Sequence, residues 1–103
     1  MDLYQLATES LVVAGLLHII LSVVFLGGST FALTYSAVLI VLGLYSFLSL
    51  PRSSSILLLG GLLSLTKTII DFSAAAEELG SAFLLASIIV LSTFSIEEGV
   101  RNL

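Results

Sequence analysis

Four apolar runs separated by three short breaks constrain this chain more than any other feature. They cover residues 11–28 (LVVAGLLHIILSVVFLGG), 31–50 (FALTYSAVLIVLGLYSFLSL), 55–72 (SILLLGGLLSLTKTIIDF) and 79–96 (LGSAFLLASIIVLSTFSI). A membrane-spanning helix needs about 17–25 mostly apolar residues, and each run meets that length. The breaks have physical causes. Gly27, Gly28, Ser29 and Thr30 form a turn signal, Leu50 to Ser54 contains the only proline, Pro51, beside Arg52, and Ser73 to Glu78 carries the adjacent carboxylates Glu77 and Glu78. Strands of a membrane barrel would alternate apolar and polar residues over about ten positions, and these runs do not. A soluble bundle would give each helix a charged outer face, and none has one. Only 10% of the residues are charged and 58% are hydrophobic, whereas a soluble domain carries about 25% charged residues. The expected fold is all-α: a polytopic membrane protein with four transmembrane helices arranged as two helical hairpins, in one domain spanning residues 1–103.

The residues before the first run include Asp2 and Glu9 and no base. A secretory signal begins with a basic region, so the first run is expected to remain as a helix, with Glu9 ahead of the span. Arg52 lies in the middle break and Arg101 near the end, while the other two breaks hold no lysine or arginine. The positive-inside rule then places both termini in the cytoplasm, in the plasma membrane. Tyr4 reads as an interfacial anchor, and Tyr35 and Tyr45 as residues that pack or hydrogen-bond between helices. Glu97, Glu98 and Arg101 read as a solvated tail.

The hairpins carry a faint repeat in the same orientation. Ala14-Gly15-Leu16-Leu17-His18 aligns with Gly60-Gly61-Leu62-Leu63-Ser64, Ser22 with Thr68, and Phe25 with Asp71. Lipid tails give helices no hydrophobic reason to associate, so small and polar residues mark the contact faces. Ser10, Ala14, His18 and Ser22 share a face of the first span, and Gly60, Ser64, Lys67 and Asp71 a face of the third. Ala32, Ser36 and Gly43 mark the second, and Ala82, Ala86 and Ser87 the fourth. Ala14, Ser22, Gly43, Gly60 and Gly61 are the expected packing residues.

Chemistry-bearing residues are few. Lys67 lies inside the third span, where a charge costs about 3 kcal/mol on insertion scales. Asp71 follows at the spacing that lets two helical side chains meet, so an ion pair near the outer boundary is expected, with the lysine stem snorkelling outward. His18, near the middle of the first span, is expected to hydrogen-bond between helices, since polar groups in lipid need partners. Ser64, on the face of Lys67, is a further intramembrane polar contact. One histidine and no cysteine make a poor metal or haem site, and no cofactor is expected. Gly60-Gly61 and Gly27-Gly28 lack the context of a phosphate loop. No basic cluster is present for nucleic acid, and no nucleophile motif or carboxylate pair for catalysis.

In length and helix number the chain resembles the small multidrug resistance family, homodimeric transporters whose first helix carries a cation-binding acid. Here that span holds His18 and no carboxylate, and the family's tryptophan in the third helix is missing. Small helical subunits of similar size also occur in respiratory and photosynthetic complexes and membrane monooxygenases. The expected role is a non-catalytic accessory or structural subunit of a larger membrane complex, such as an oxidoreductase or monooxygenase, whose partners are the bilayer and larger subunits. The alternative is a small homodimeric transporter using Lys67 and His18 as its intramembrane polar groups.

Overall fold

The computed structural model describes residues 3–25, 27–48, 54–75 and 79–101. They form four helices: α1 (Leu3–Phe25), α2 (Thr30–Leu48), α3 (Ser54–Ala75) and α4 (Leu79–Arg101). Each is long and apolar enough to cross a membrane. Pro51, Arg52, Glu77 and Glu78 lie outside the described residues.

Three helices run further than the apolar runs, α3 by reaching Ala75. α1 begins at Leu3 and so includes Glu9, and it stops at Phe25, before the glycines. The polar stretch ahead of Leu11 stays helical because its hydroxyls bond back to their own helix: Thr8 Oγ1 donates to the Gln5 carbonyl (2.7 Å) and Ser10 Oγ to that of Leu6 (2.9 Å). Likewise α4 continues through Glu97 and Glu98 to Arg101, whose guanidinium pairs with Glu97 one turn earlier (2.7 Å). A cation in the last turn also complements the helix dipole. Glu98 is buried, 5% exposed, so this segment is a packed helix end and not a free tail.

The α1–α2 connection is built on backbone freedom. Gly27 and Gly28 adopt φ of 83° and 66°, a region that costs other residues a steric clash. This lets the Gly28 N–H reach back to the Ser22 carbonyl (2.7 Å). Ser29 then caps α2 by accepting the Ala32 N–H on its Oγ (3.2 Å).

The bundle is inverted in polarity. Among the described residues, buried polar and charged side chains outnumber buried hydrophobic ones, while large hydrophobics such as Val24, Phe31, Val41, Leu48, Ile69, Phe83 and Val90 face outward. A protein in water would gain by reversing that arrangement. The apolar outer faces suggest a membrane-embedded protein, and the 40 Å long axis suffices for a hydrocarbon core of about 30 Å.

α1 packs most closely on α2 and α3 on α4. α1 also packs on α4, α2 on α3 less extensively, and α1 touches α3 across the diagonal. The two hairpin seams use the same device. A Cβ built on Gly15 would lie 2.6 Å from Ile40 Cγ1 and 3.2 Å from both the Ile40 nitrogen and the Ser36 oxygen. On Gly61 it would lie 2.6 Å from Ile96 Cγ1 and 3.0 Å from the Ile96 nitrogen and the Ser92 oxygen. The repeat seen between the first and third spans therefore extends to α2 and α4, with Ser36 and Ile40 corresponding to Ser92 and Ile96. The burial pattern follows it. Leu11, Ala14, Gly15, His18, Leu21 and Ser22 are buried, as are Leu57, Gly60, Gly61, Ser64, Lys67 and Thr68. Ala32, Ser36, Leu39 and Gly43 match Ile88, Ser92, Ser95 and Gly99, also all buried. The second hairpin is the taller: α3 passes the Phe25-equivalent Asp71 by one turn, and α4 begins about two turns before the position equivalent to the start of α2.

The repeat corrects the expected face of α4. Ala86 is exposed and Ala82 and Ser87 are only partly covered, whereas Ser81, Leu85, Ile88, Ser92, Ser95 and Gly99 turn inward. The contact is set by Gly61 closing on Ser92 and Ile96, which rotates the alanines outward. Tyr4 is also no exposed anchor. It is 5% exposed and its hydroxyl donates to the Ser46 carbonyl (2.9 Å). Tyr45 points away from the bundle, 59% exposed.

Substituting Gly15 or Gly61 by alanine is expected to cost about 1–3 kcal/mol, because backbone as well as side chain must shift. Ala86→Leu, on the exposed face, should change stability by less than about 0.5 kcal/mol. Reversible unfolding in detergent micelles measures both.

Candidate functional site

Four polar residues expected to matter, His18, Ser64, Lys67 and Asp71, are all buried inside the bundle. α1 and α3 bring them together along the diagonal contact, because the repeat sets His18 and Ser64 at equivalent positions on either side of it. His18 Nε2 lies 3.1 Å from Ser64 Oγ, and Ser92 Oγ of α4 donates to the same oxygen (2.6 Å). One turn on, Thr68 Oγ1 donates to the Ser64 carbonyl (2.8 Å). The simplest order of protons runs from Ser92 to Ser64 to His18 Nε2, which leaves the ring proton on Nδ1. That nitrogen and Ser22 Oγ, one turn further along α1, are buried without a hydrogen-bond partner.

Lys67 and Asp71 form the second part of the cluster. Nζ donates to Oδ1 at 2.5 Å and also to Oδ2. Both side chains are nearly enclosed, at 4% and 9% exposure. The lysine therefore turns along its own helix to the carboxylate and does not reach the outer surface. Tyr35 ties α2 to α3 by donating its hydroxyl to the Leu63 carbonyl (2.6 Å).

The expected packing residues take distinct positions. Ala14 is buried at the centre of α1. A Cβ on Gly43 would meet Val12 Cγ2 at 2.6 Å and the Val12 nitrogen at 3.0 Å, and on Gly60 it would meet Leu11 Cδ2. Ser22 is enclosed but makes no bond with its hydroxyl, and Gly61 closes on α4 as above. Sequence reasoning missed the bonds of Ser92 and Thr68, while the bond of Tyr35 between helices is as expected. Ser92 was accessible through the repeat, since Ser92 and Gly99 stand seven apart, as Ser36 and Gly43 do.

Ser64 and His18 have the elements of a nucleophile and a base. Their setting opposes that use. Ser64 is 0% and His18 1% exposed, Asp71 is engaged by Lys67, and the grooves on the outer faces are lined by other residues. The arrangement suits interhelical bonding and the holding or passing of a proton.

Lys67→Leu alone leaves a buried carboxylate unpaired and is expected to destabilise the bundle by about 3–5 kcal/mol, while Lys67→Leu with Asp71→Leu should cost far less. Ser64→Ala removes the shared partner of His18 and Ser92 and should cost about 1 kcal/mol. Unfolding of each variant in micelles gives the comparison. Compared with protein-family models, curated proteins and solved structures, the chain matches none.

Proposed function

We propose that this chain is a small non-catalytic structural subunit that completes the transmembrane part of a larger integral membrane assembly. The observation that carries this reading is the distribution of polarity. His18, Lys67 and Asp71 are turned inward, the histidine on Ser64 and the lysine on the aspartate, and the outer faces offer leucine, isoleucine, valine and phenylalanine. A groove of about 380 Å³ between α1 and α2, lined by Thr8, Glu9, Val12, Val13, Leu44 and Phe47, offers a seat for a neighbouring side chain. The connections between the helices are short. In this reading the chain lies in the plasma membrane with Arg52 and Arg101 on the cytoplasmic side. The interior cluster fixes which helices meet, a specificity role that buried polar groups fill in some bundles.

A second reading, a homodimeric transporter, is favoured by His18 Nδ1 and Ser22 Oγ, which are buried without a hydrogen-bond partner among the described residues. Such groups in a membrane mark ion or proton paths elsewhere.

The particle extracted in mild detergent from its own membrane separates the two. Co-purification in fixed ratio with larger, different subunits is expected, and a clean homodimer would sink the subunit reading. In that event His18→Leu, and Lys67→Leu combined with Asp71→Leu, assayed in proteoliposomes, should abolish flux while the fold survives.

A further inference from the structure

Among the described residues, three buried side-chain atoms have no hydrogen-bond partner: His18 Nδ1, Ser22 Oγ and Ser46 Oγ. The first two stand one turn apart on the same face of α1. Such atoms are costly in a membrane, because lipid offers them nothing to bond. Each calls for a specific explanation, of which an ordered water is one.

Ser22 departs from its counterparts. Thr68, at the equivalent position of α3, donates to the Ser64 carbonyl four residues back. Ser36 does the same toward Ala32. The His18 carbonyl stands in that relation to Ser22, whose hydroxyl makes no such bond. The hydroxyl is left for another partner. Lys67 and Asp71 do not supply one, since they are bonded to each other.

The layer around the imidazole is polar on every helix. His18, Ser64 and Ser92 are joined by hydrogen bonds, and the repeat sets Ser36 against position 18 as Ser92 is set against Ser64. The Ser36 proton goes to the Ala32 carbonyl, so its oxygen can still accept. The next layer is small. Four residues toward the Gly27–Ser29 turn on each helix stand Ser22, Ala32, Thr68 and Ile88, all buried, and only Ile88 is large. Residues one turn apart on a helix face have Cβ atoms about 5–6 Å apart, a span that one small molecule bridges.

We infer that one buried water molecule is bound between His18 Nδ1 and Ser22 Oγ. It accepts the Nδ1 proton and donates to Ser22 Oγ and Ser36 Oγ, which gives it the three bonds usual for an enclosed water. Both ring nitrogens are then engaged, Nε2 by Ser64 and Nδ1 by the water, and the imidazole is held in one tautomer. The site is the same in either reading of the chain's role, since all its residues belong to α1 and α2.

The test is solid-state NMR on the full-length protein in lipid bilayers, with 15N placed at histidine. The chain has one histidine, so every ring signal belongs to His18. The wild type should show a proton on Nδ1, none on Nε2, and a dipolar contact between the Nδ1 proton and water. Ser22→Val removes the hydroxyl and fills its space, and should abolish the water contact while circular dichroism shows unchanged helix content. A ring protonated at Nε2, a protonated Nδ1 without a water contact, or a contact that survives in Ser22→Val would overturn the assignment. If Ser22→Val does not fold, the wild-type spectrum decides alone.

Discussion

The close approach of backbones at Gly15 and Gly61 governs the rest of the bundle. In lipid, helices gain nothing from hiding leucine, so association depends on van der Waals contact and hydrogen bonds made at short range. Removing a side chain at these two positions lets Ile40 and Ile96 seat against the opposite backbone. Each seam then fixes the rotation of its two helices. Once α4 is rotated so that Ser92 faces Gly61, Ser64 and Ser92 come within hydrogen-bond distance, and His18 completes the set from α1. The polar interior follows from the glycine contacts.

Serine and threonine serve as packing residues here because their hydroxyls are disposed of locally. Ser36 donates to the Ala32 carbonyl and Thr68 to that of Ser64, each four residues back along its own helix. Such back-bonding is a neutral or slightly unfavourable choice for a helix in water. In lipid it meets the need for a partner without requiring another helix. A few hydroxyls are left for contacts between helices, and those define the site: Ser64, Ser92 and the Ser95 hydroxyl that donates to the Leu57 carbonyl (2.9 Å).

The helix number and the inward faces of α1 and α3 were legible from spacing alone, because His18 with Ser22, and Lys67 with Asp71, stand at intervals that only a helix brings to one side. The start of α1 was not, since Gln5, Thr8, Glu9 and Ser10 read as polar leader when side chains are weighed without the bonds they make to their own backbone. The face of α4 was misread for another reason. Ala82 and Ala86 are small, but smallness permits contact without requiring it, and Gly61 on the partner helix chose the serines. The Lys67–Asp71 pair was legible from its spacing, but which polar groups touch between helices was beyond a one-dimensional reading. His18 and Ser64 lie 46 positions apart in contact, and only the symmetry between hairpins brings them face to face.

The unequal height of the two hairpins has a mechanical consequence. At the end carrying the Gly27–Ser29 turn, α3 and α4 stand above α1 and α2 by about 6–10 Å. A bilayer of even thickness cannot fit both walls with the bundle upright. It must thin beside the shorter hairpin, or the bundle must lean. Either response brings the water boundary down toward the ledge between the hairpins, level with Asp71. The ion pair would then be buried by protein yet shallow with respect to the membrane, and bilayer thickness would set how deep it lies.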